Sequence, residues 1–313
     1  MKKFISLLCV ALLVCTLFGC KPENEYSETR LLMDTVCTIK AGGENAQMAV
    51  ADAFLMIEKI AAKTDYFSEY SDVLKINRAS SGEVIYVGEH TANILSTALS
   101  VAEKSGGAFD ITIAPIKDLW DFGSGEHEPP SPDSIKSALQ CVGYNGIIFD
   151  RENNTVTKTN SDIKIDLGGA AKGYASDRAA EELKRSGVDY AIIDLGGNIY
   201  TFGDNPDRKG GEWSVGIQKP FGKNGELSQT VEIDEGAVVT AGSYRRFFEW
   251  NGKKYHHILD PETGYPTDSG IQSATVICSS GLIADCLSTA CMVLGEEQGR
   301  ELCGEFLARL IAE

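Results

Sequence analysis

Residues 165–198 read IDLGGAAKGYASDRAAEELKRSGVDYAIIDLGGN. Two nearly identical pentads, Asp166-Leu167-Gly168-Gly169-Ala170 and Asp194-Leu195-Gly196-Gly197-Asn198, bracket a segment of helical composition. Upstream, IKIDLG alternates apolar and polar residues and predicts a half-buried strand. The middle predicts a helix from about Lys172 to Ser186, stopped by Gly187. YAIIDLGGN predicts a buried strand that ends in a Gly-Gly turn. Neither pentad has the G-x-G-x-x-G or G-x-x-x-x-G-K-[ST] spacing, so dinucleotide-fold and P-loop readings fail. The first loop still leads into a helix N-terminus, where free N–H groups and the helix dipole favour an anion. Glycine lets the backbone approach a ligand, Lys172 adds a cation, and Asp166 can accept hydrogen bonds from a sugar or base. Taken singly, each Gly-Gly pair is equally well a tight turn.

Outward from this segment, helices and strands alternate without repeats. LLMDTVCTIK (31–40) has β character. Asn45–Lys63, Thr91–Lys104 and about Leu282–Leu294 carry helical apolar spacing, Ser134 is expected to start a further helix, and the remainder after 187 reads as strands. Near the N-terminus, Lys2 and Lys3 precede an apolar run from Phe4 to Phe18, then Leu17-Phe18-Gly19-Cys20. The pattern is that of a signal peptide over residues 1–19, and it resembles a lipoprotein cleavage box with Cys20 as the lipidated residue. Residues 20–28 are expected to form a polar tether, and 29–313 one compact α+β module. The formal charge of −16 and the lack of a basic run exclude nucleic acid as a partner. Six cysteines follow Cys20 without any C-x-x-C; their apolar contexts predict mostly free, buried thiols.

Two further constellations carry chemistry. In Ala284-Asp285-Cys286-Leu287-Ser288-Thr289, Asp285 and Thr289 are four apart and share a helix face. A carboxylate and a hydroxyl are hard donors that suit Mg²⁺ when a diphosphate supplies other oxygens. A solvated polar face, with Thr289 bonded back to its own helix, is the competing reading. His256 and His257 run into a turn built from Asp260, Pro261 and Gly264.

In order, these pieces resemble the ApbE-type FAD:protein FMN transferases. Met33-Asp34-Thr35 is similar to that family's Met-Gly-Thr, with Asp in place of Gly. Gly107-Ala108-Phe109-Asp110-Ile111-Thr112, followed by Leu119 to Gly123, resembles G-A-F-D-I-T and W-G-F-G. Asp166 to Gly173 resembles D-L-G-x-x-A-K-G, and Thr240 to Tyr244 resembles T-S-G-x-Y. His257 to Pro266 resembles H-I-I-D-P-x-T-G-x-P, and Ala284 to Thr289 resembles A-D-A-L-S-T. The resemblance implies a compact ApbE-like (T-fold-like) α+β module with mixed or antiparallel sheets and flanking helices. It also implies Mg²⁺-dependent transfer of the FMN half of FAD to a Thr or Ser hydroxyl of an acceptor flavoprotein subunit outside the cytoplasmic membrane, with release of AMP.

The residues implied against FAD are Met33, Phe67, Ala108, Phe109, Asp110, Asp166, Lys172 and Leu259. Gly169 (through its carbonyl), Asp285 and Thr289 are implied as metal ligands, and His257 and Asp285 as catalytic groups. Trp120 is expected in the core, and His90 and His127 at the surface. The same residues would serve a Mg²⁺-dependent FAD pyrophosphatase, and a non-catalytic flavin-binding lipoprotein is the third reading. Family members continue with another strand and a tail after the position of Leu310. This chain stops at Glu313, which leaves the last sheet edge open to question.

Overall fold

The computed structural model describes residues 24–123, 127–223 and 225–313. The signal segment and Cys20 lie outside these residues. Its centre is a seven-stranded sheet of order β1 (Glu25–Leu32), β2 (Thr35–Gly42), β6 (Tyr190–Leu195), β7 (Asn198–Phe202), β10 (Gly236–Gly242), β13 (Ser273–Cys278) and β14 (Arg309–Ala312). Every neighbouring pair in it is antiparallel. Smaller pieces are the sheet β3 (Ile85–Tyr86), β5 (Thr155–Lys158) and β4 (Ile147–Asp150), and the hairpins β8 (Trp213–Gln218)/β9 (Leu227–Ile233) and β11 (Phe247–Trp250)/β12 (Lys253–His256).

Alternation along the central strands decides which face is covered. Cys37, Ile39 and Ala41 of β2 and Ala191, Ile193 and Leu195 of β6 are fully buried. They share one core with helices α1 (Ala46–Thr64), α6 (Ala171–Arg185) and α7 (Gly281–Leu294). Strand residues of opposite parity face the β8/β9 hairpin. No helix among the described residues is long and apolar enough to cross a membrane.

The two loops at one end of the sheet are both two-residue turns. Met33 and Asp34 join β1 to β2 with φ of 51° and 58°, and Gly196 and Gly197 join β6 to β7 with φ of 70° and 89°. Such turns match the twist of antiparallel strands but require left-handed backbone. Glycine meets that demand without strain. Asp34, standing where the family pattern has Gly, does so at a cost of about 1 kcal/mol.

Several expectations need correction. The polar tether does not extend to residue 28, because Glu25–Glu28 already belong to β1 and pair with Ile39–Gly42. IKIDLG is extended, and its alternation of buried and exposed residues is as read, but it joins no sheet. Its ladder partner is a side chain: the Asn77 amide donates to Ile165 O (3.0 Å) and accepts from Ile165 N (2.7 Å). Asn77 comes from α2 (Asp72–Arg78), which the apolar periodicity was too short to signal. Lys158, 1% exposed, donates to the carbonyls of Asn77, Ser161 and Ile163. Burial lowers its pKa from the usual lysine value.

The helix assigned to Ser134 is α5 (Pro132–Leu139); its N-cap is Ser131, whose hydroxyl accepts from Ser134 N. The C-terminal third holds α8 (Glu296–Glu305) as well as α7, and Ala114–Trp120 forms α4. Among the described residues the sheet ends at β14, which pairs with β13 from Ala274↔Ala312 to Ile277↔Arg309. Trp120 is a core residue, 1% exposed, with Nε1 donating to Gly264 O at 2.8 Å. His90 is half-buried against Tyr174, at 3.1 Å from its hydroxyl, rather than at the surface. The six cysteines are free, and all but Cys141 are buried.

Helices α6 and α7 cross closely and antiparallel, with Gly173 beside Asp285 and Asp177 beside Gly281. A Cβ on Gly173 would lie 2.1 Å from Gly281 O and 2.7 Å from Asp285 Cβ. Gly173→Ala therefore has to force the two helices apart. The expected cost is about 1–3 kcal/mol, read as a lower urea midpoint, and an unchanged midpoint would refute the close crossing.

Candidate active site

Each helix of the α6/α7 pair caps the other. Asp177 of α6 accepts from Gly281 N (2.6 Å), Leu282 N (3.0 Å) and Ser280 Oγ (2.9 Å) at the start of α7. Asp285 of α7 accepts from Gly173 N (2.9 Å) in the first turn of α6. The backbone donors are orphans of each helix N-terminus: Asp285 serves α6, which has no side-chain cap of its own, and Asp177 adds to the local cap of α7, where Ser280 Oγ accepts from Ile283 N. Burial raises the pKa of both carboxyls; the donors, and Lys172 beside Asp285, oppose it.

Asp285 is only 5% exposed, so the polar helix face expected at the surface is turned inward. Thr289, one turn on, is half-buried and forms no side-chain hydrogen bond among the described residues, so it does not bond back to its own helix. Gly169 closes the third side: a Cβ there would be 3.4 Å from Thr289 Oγ1 and 3.2 Å from the Phe109 ring. Gly169 and the pair Asp285 and Thr289, more than a hundred positions apart in sequence, thus meet at the N-terminus of α6. No group of three or more His, Cys, Asp or Glu side chains suited to a metal occurs among the described residues. One carboxylate, one hydroxyl and backbone oxygen form a donor set that suits a hard cation only if the remaining ligands come from water or substrate.

The loop ahead of α6 is braced by its own residues. Asp166 N donates to Ile111 O (2.7 Å), and Asp166 Oδ1 accepts from Gly168 N (2.6 Å). Asp166 Oδ2 is ion-paired with Lys117 of α4. Lys172 Nζ donates to Gly168 O at 3.0 Å and has no carboxylate partner among the described residues. Lys117 was not anticipated; its signal was a polar pair, Lys117-Asp118, inside the apolar run IAPIKDLW. It lies 5.7 Å from the Tyr66 ring centre, and Phe67 meets Tyr66 edge-on at 5.1 Å. Phe67 is 83% exposed.

Other expected contacts are placed differently from one another. Met33 lies in the β1–β2 turn at the same sheet end as Gly196, which abuts Thr35. Ala108 is half-buried beside Phe109. Asp110 offers no free oxygen: Oδ1 accepts from Thr112 N and Oγ1, and Oδ2 from Tyr144 N. Leu259 is 7% exposed, packed with Ile116, Trp120 and Ile135.

The histidine pair separates cleanly. His256 Nε2 donates to Thr267 O at 3.0 Å, and its Nδ1 is buried without a partner. His257 Nδ1 donates to Arg246 O at 3.2 Å, which leaves Nε2 as the acceptor of a neutral ring. Burial, aided by Arg246, His256 and Lys172, lowers its pKa from the usual histidine value to about 4. The carboxylate of Asp260 is occupied by Glu262 N and Thr263 Oγ1, so His257 does not orient it. Arg245 and Arg246 follow directly after the Thr240–Tyr244 motif, an unread cluster of cations in an acidic chain; Arg245 Nη1 donates to Gly196 O at 2.6 Å.

Comparison with known proteins fits this arrangement. Curated FAD:protein FMN transferases from Treponema pallidum and Escherichia coli K12 are 31% and 32% identical to the chain; each alignment covers 95% of it, and 88% and 90% of the respective relative. The crystal structure of the ApbE protein of Thermotoga maritima superposes with a TM-score of 0.83 at 32% identity, covering 92% of this chain and 94% of that one. The flavin transferase ApbE from Vibrio cholerae gives 0.82 at 26% identity, covering 92% and 93%. The profile of the ApbE family matches residues 33–311, and the chain belongs to that family.

Proposed function

We propose that this protein is an FAD:protein FMN transferase that moves FMN from FAD to a Thr or Ser hydroxyl of an acceptor protein and releases AMP. The observation that carries the reading is the convergence of Gly169, Asp285 and Thr289 at the N-terminus of α6, with Lys172 alongside and a neutral His257 near it. In the reaction, the acceptor oxygen attacks the FMN phosphorus, the bond to the bridging diphosphate oxygen breaks, and AMP leaves. Such transfer depends on positioning and charge neutralisation more than on a covalent protein intermediate.

The helix N-terminus and Lys172 bind the diphosphate, and the Lys117–Asp166 pair holds the loop that approaches it. Asp285, Thr289 and the Gly169 carbonyl would hold Mg²⁺, which supplies charge neutralisation when bound together with the diphosphate. His257 takes the acceptor proton on Nε2; a phosphate anion beside the ring raises its proton affinity. The polypeptide acts, on this reading, outside the cytoplasmic membrane, tethered through lipidated Cys20. Its support is the sequence pattern of residues 2–20.

The test is incubation with FAD, Mg²⁺ and extracytoplasmic proteins of the source cell, followed by mass spectrometry. FMN attached to protein supports transfer. Free FMN and AMP alone would make it a pyrophosphatase, and intact FAD a flavin carrier. Asp285→Asn should keep the fold and lose Mg²⁺-dependent turnover; the asparagine oxygen can still accept from Gly173 N but carries no charge. Normal metal dependence in that variant would sink the assignment.

His257→Asn should lower turnover by about 10²–10⁴-fold with FAD affinity little changed. His256→Asn should act on stability instead, since its ring bonds only to Thr267 O. In the free enzyme the neutral form of His257 persists above pH about 4, so kcat/KM is retained through mildly acid pH and lost as pH falls through that value. The same depressed pKa makes His257 a destabilising group under acid conditions. Its contribution begins below the unfolded value of about 6.5 and grows until the folded value of about 4 is reached. Thermal melts of wild type and His257→Asn across that window read this directly; parallel curves would refute it. Cys20→Ala should release the protein from membranes or block its processing, and unchanged retention with normal cleavage would argue against the anchor.

A further inference from the structure

Asp285, Thr289 and the N-terminus of α6 belong to helices on one side of the sheet. The opposite face holds a second concavity at the same end, of about 390 Å³. Thr38, Asp194, Ile199 and Val238 form its floor; they are direct cross-strand neighbours and make one row across β2, β6, β7 and β10. Its wall is β8, through Val215, Gly216 and Gln218. Tyr244 and Arg245 stand at its mouth, and the Tyr244 hydroxyl is buried without a hydrogen-bond partner.

We propose that this cleft binds the acceptor polypeptide as an extended segment, whose Thr or Ser crosses the Gly196–Gly197 turn to reach His257. The assignment rests on the transferase reading and names where its second substrate sits. Three features carry it. The first is continuity: Gly196 and Gly197 line the cleft, and the guanidinium that closes on them belongs to Arg245, the neighbour of the Arg246 whose carbonyl holds His257. The turn is kept low, since a Cβ on Gly196 would be 2.1 Å from Thr35 Oγ1 and one on Gly197 2.4 Å from Arg245 Nη2. The second is an open edge. Among the described residues β8 pairs only with β9, and β9 lies toward β14, so the unpaired edge of β8 faces the cleft. An extended chain adds to such an edge through its backbone, which gives affinity with little dependence on sequence. The third is charge. Arg245 and Arg246 have no carboxylate partner among the described residues, in a chain of net charge −16. The mouth of the cleft is thus a cationic point on an acidic molecule, and it favours a segment carrying a carboxylate near its hydroxyl.

The test uses the full-length protein, with the protein that takes up flavin in the transfer assay above as acceptor. Arg245→Glu removes the cation, and Ile199→Trp fills the floor. Melting curves confirm that each variant is folded. Both should raise the KM for the acceptor by about tenfold or more, the change that the loss of about 1.4 kcal/mol of binding gives, while FAD affinity and the slow cleavage of FAD by water stay within about twofold of wild type. A photo-crosslinking residue at position 199 should capture the acceptor segment that contains the flavinylated hydroxyl. Wild-type acceptor KM in both variants would overturn the assignment. Loss of FAD affinity in both would overturn it differently, by making the cleft part of the FAD site. If the wild type transfers flavin to no protein, the transferase reading itself fails, a result distinct from either.

Discussion

Two helices that cap each other hold this molecule's chemistry in place. The α6/α7 crossing brings the backbones together at Gly173 and Gly281, and each N-terminus then takes a carboxylate from its partner. The two carboxylates are not equally satisfied. Asp177 receives three donors, which offset part of the cost of its burial. Asp285 receives only Gly173 N, with Lys172 as a distant cation. A buried carboxylate left short of donors is unfavourable by itself. A cation held there, as proposed above, would end the shortfall, and Thr289 lies one turn further along the same helix. Stability and function therefore depend on one contact: separating the helices by even an ångström would uncap α6 and disperse the site.

The remainder of the site is braced from the other direction. The segment that delivers Asp166 and the glycine loop has no strand beside it. The Asn77 amide takes a strand's place at Ile165, and buried Lys158 gathers three carbonyls around the approach. Asp110, with both oxygens bound, fixes the Ile111–Ile113 turn whose carbonyl holds Asp166 N. These polar groups are buried because each is fully used, and the loop they support keeps free N–H groups and Lys172 for a ligand.

The two adjacent histidines differ in which nitrogen is left over. His256 donates through Nε2 and its remaining nitrogen, Nδ1, is buried without a partner, whereas His257 donates through Nδ1 and keeps Nε2. The difference follows from chain direction at the end of β12, where successive side chains point to opposite faces. Burial lowers the pKa of His257 to about 4, so its ring is neutral at physiological pH.

Much was legible without coordinates. Long periodic helices, the strand ends at Gly196–Gly197, buried thiols and the order of the motifs all follow from apolar spacing and from glycine's access to left-handed backbone, which are local properties. Asp285 and Thr289 could be put on one helix face by counting. What counting could not supply was the direction of that face: it points inward because Gly173 lets α6 approach, and a residue 112 positions away decides it. Likewise IKIDLG announced an extended chain by its alternation, but whether a strand or a side chain would satisfy its backbone was settled by where α2 falls in space. Lys117, Asp177 and Arg246 were missed for the same reason. Each acts on a residue distant in sequence, so its role exists only once the chain has packed. Periodicity reports what a residue does to its neighbours in the chain, and the site is built almost wholly from residues that are neighbours only across the fold.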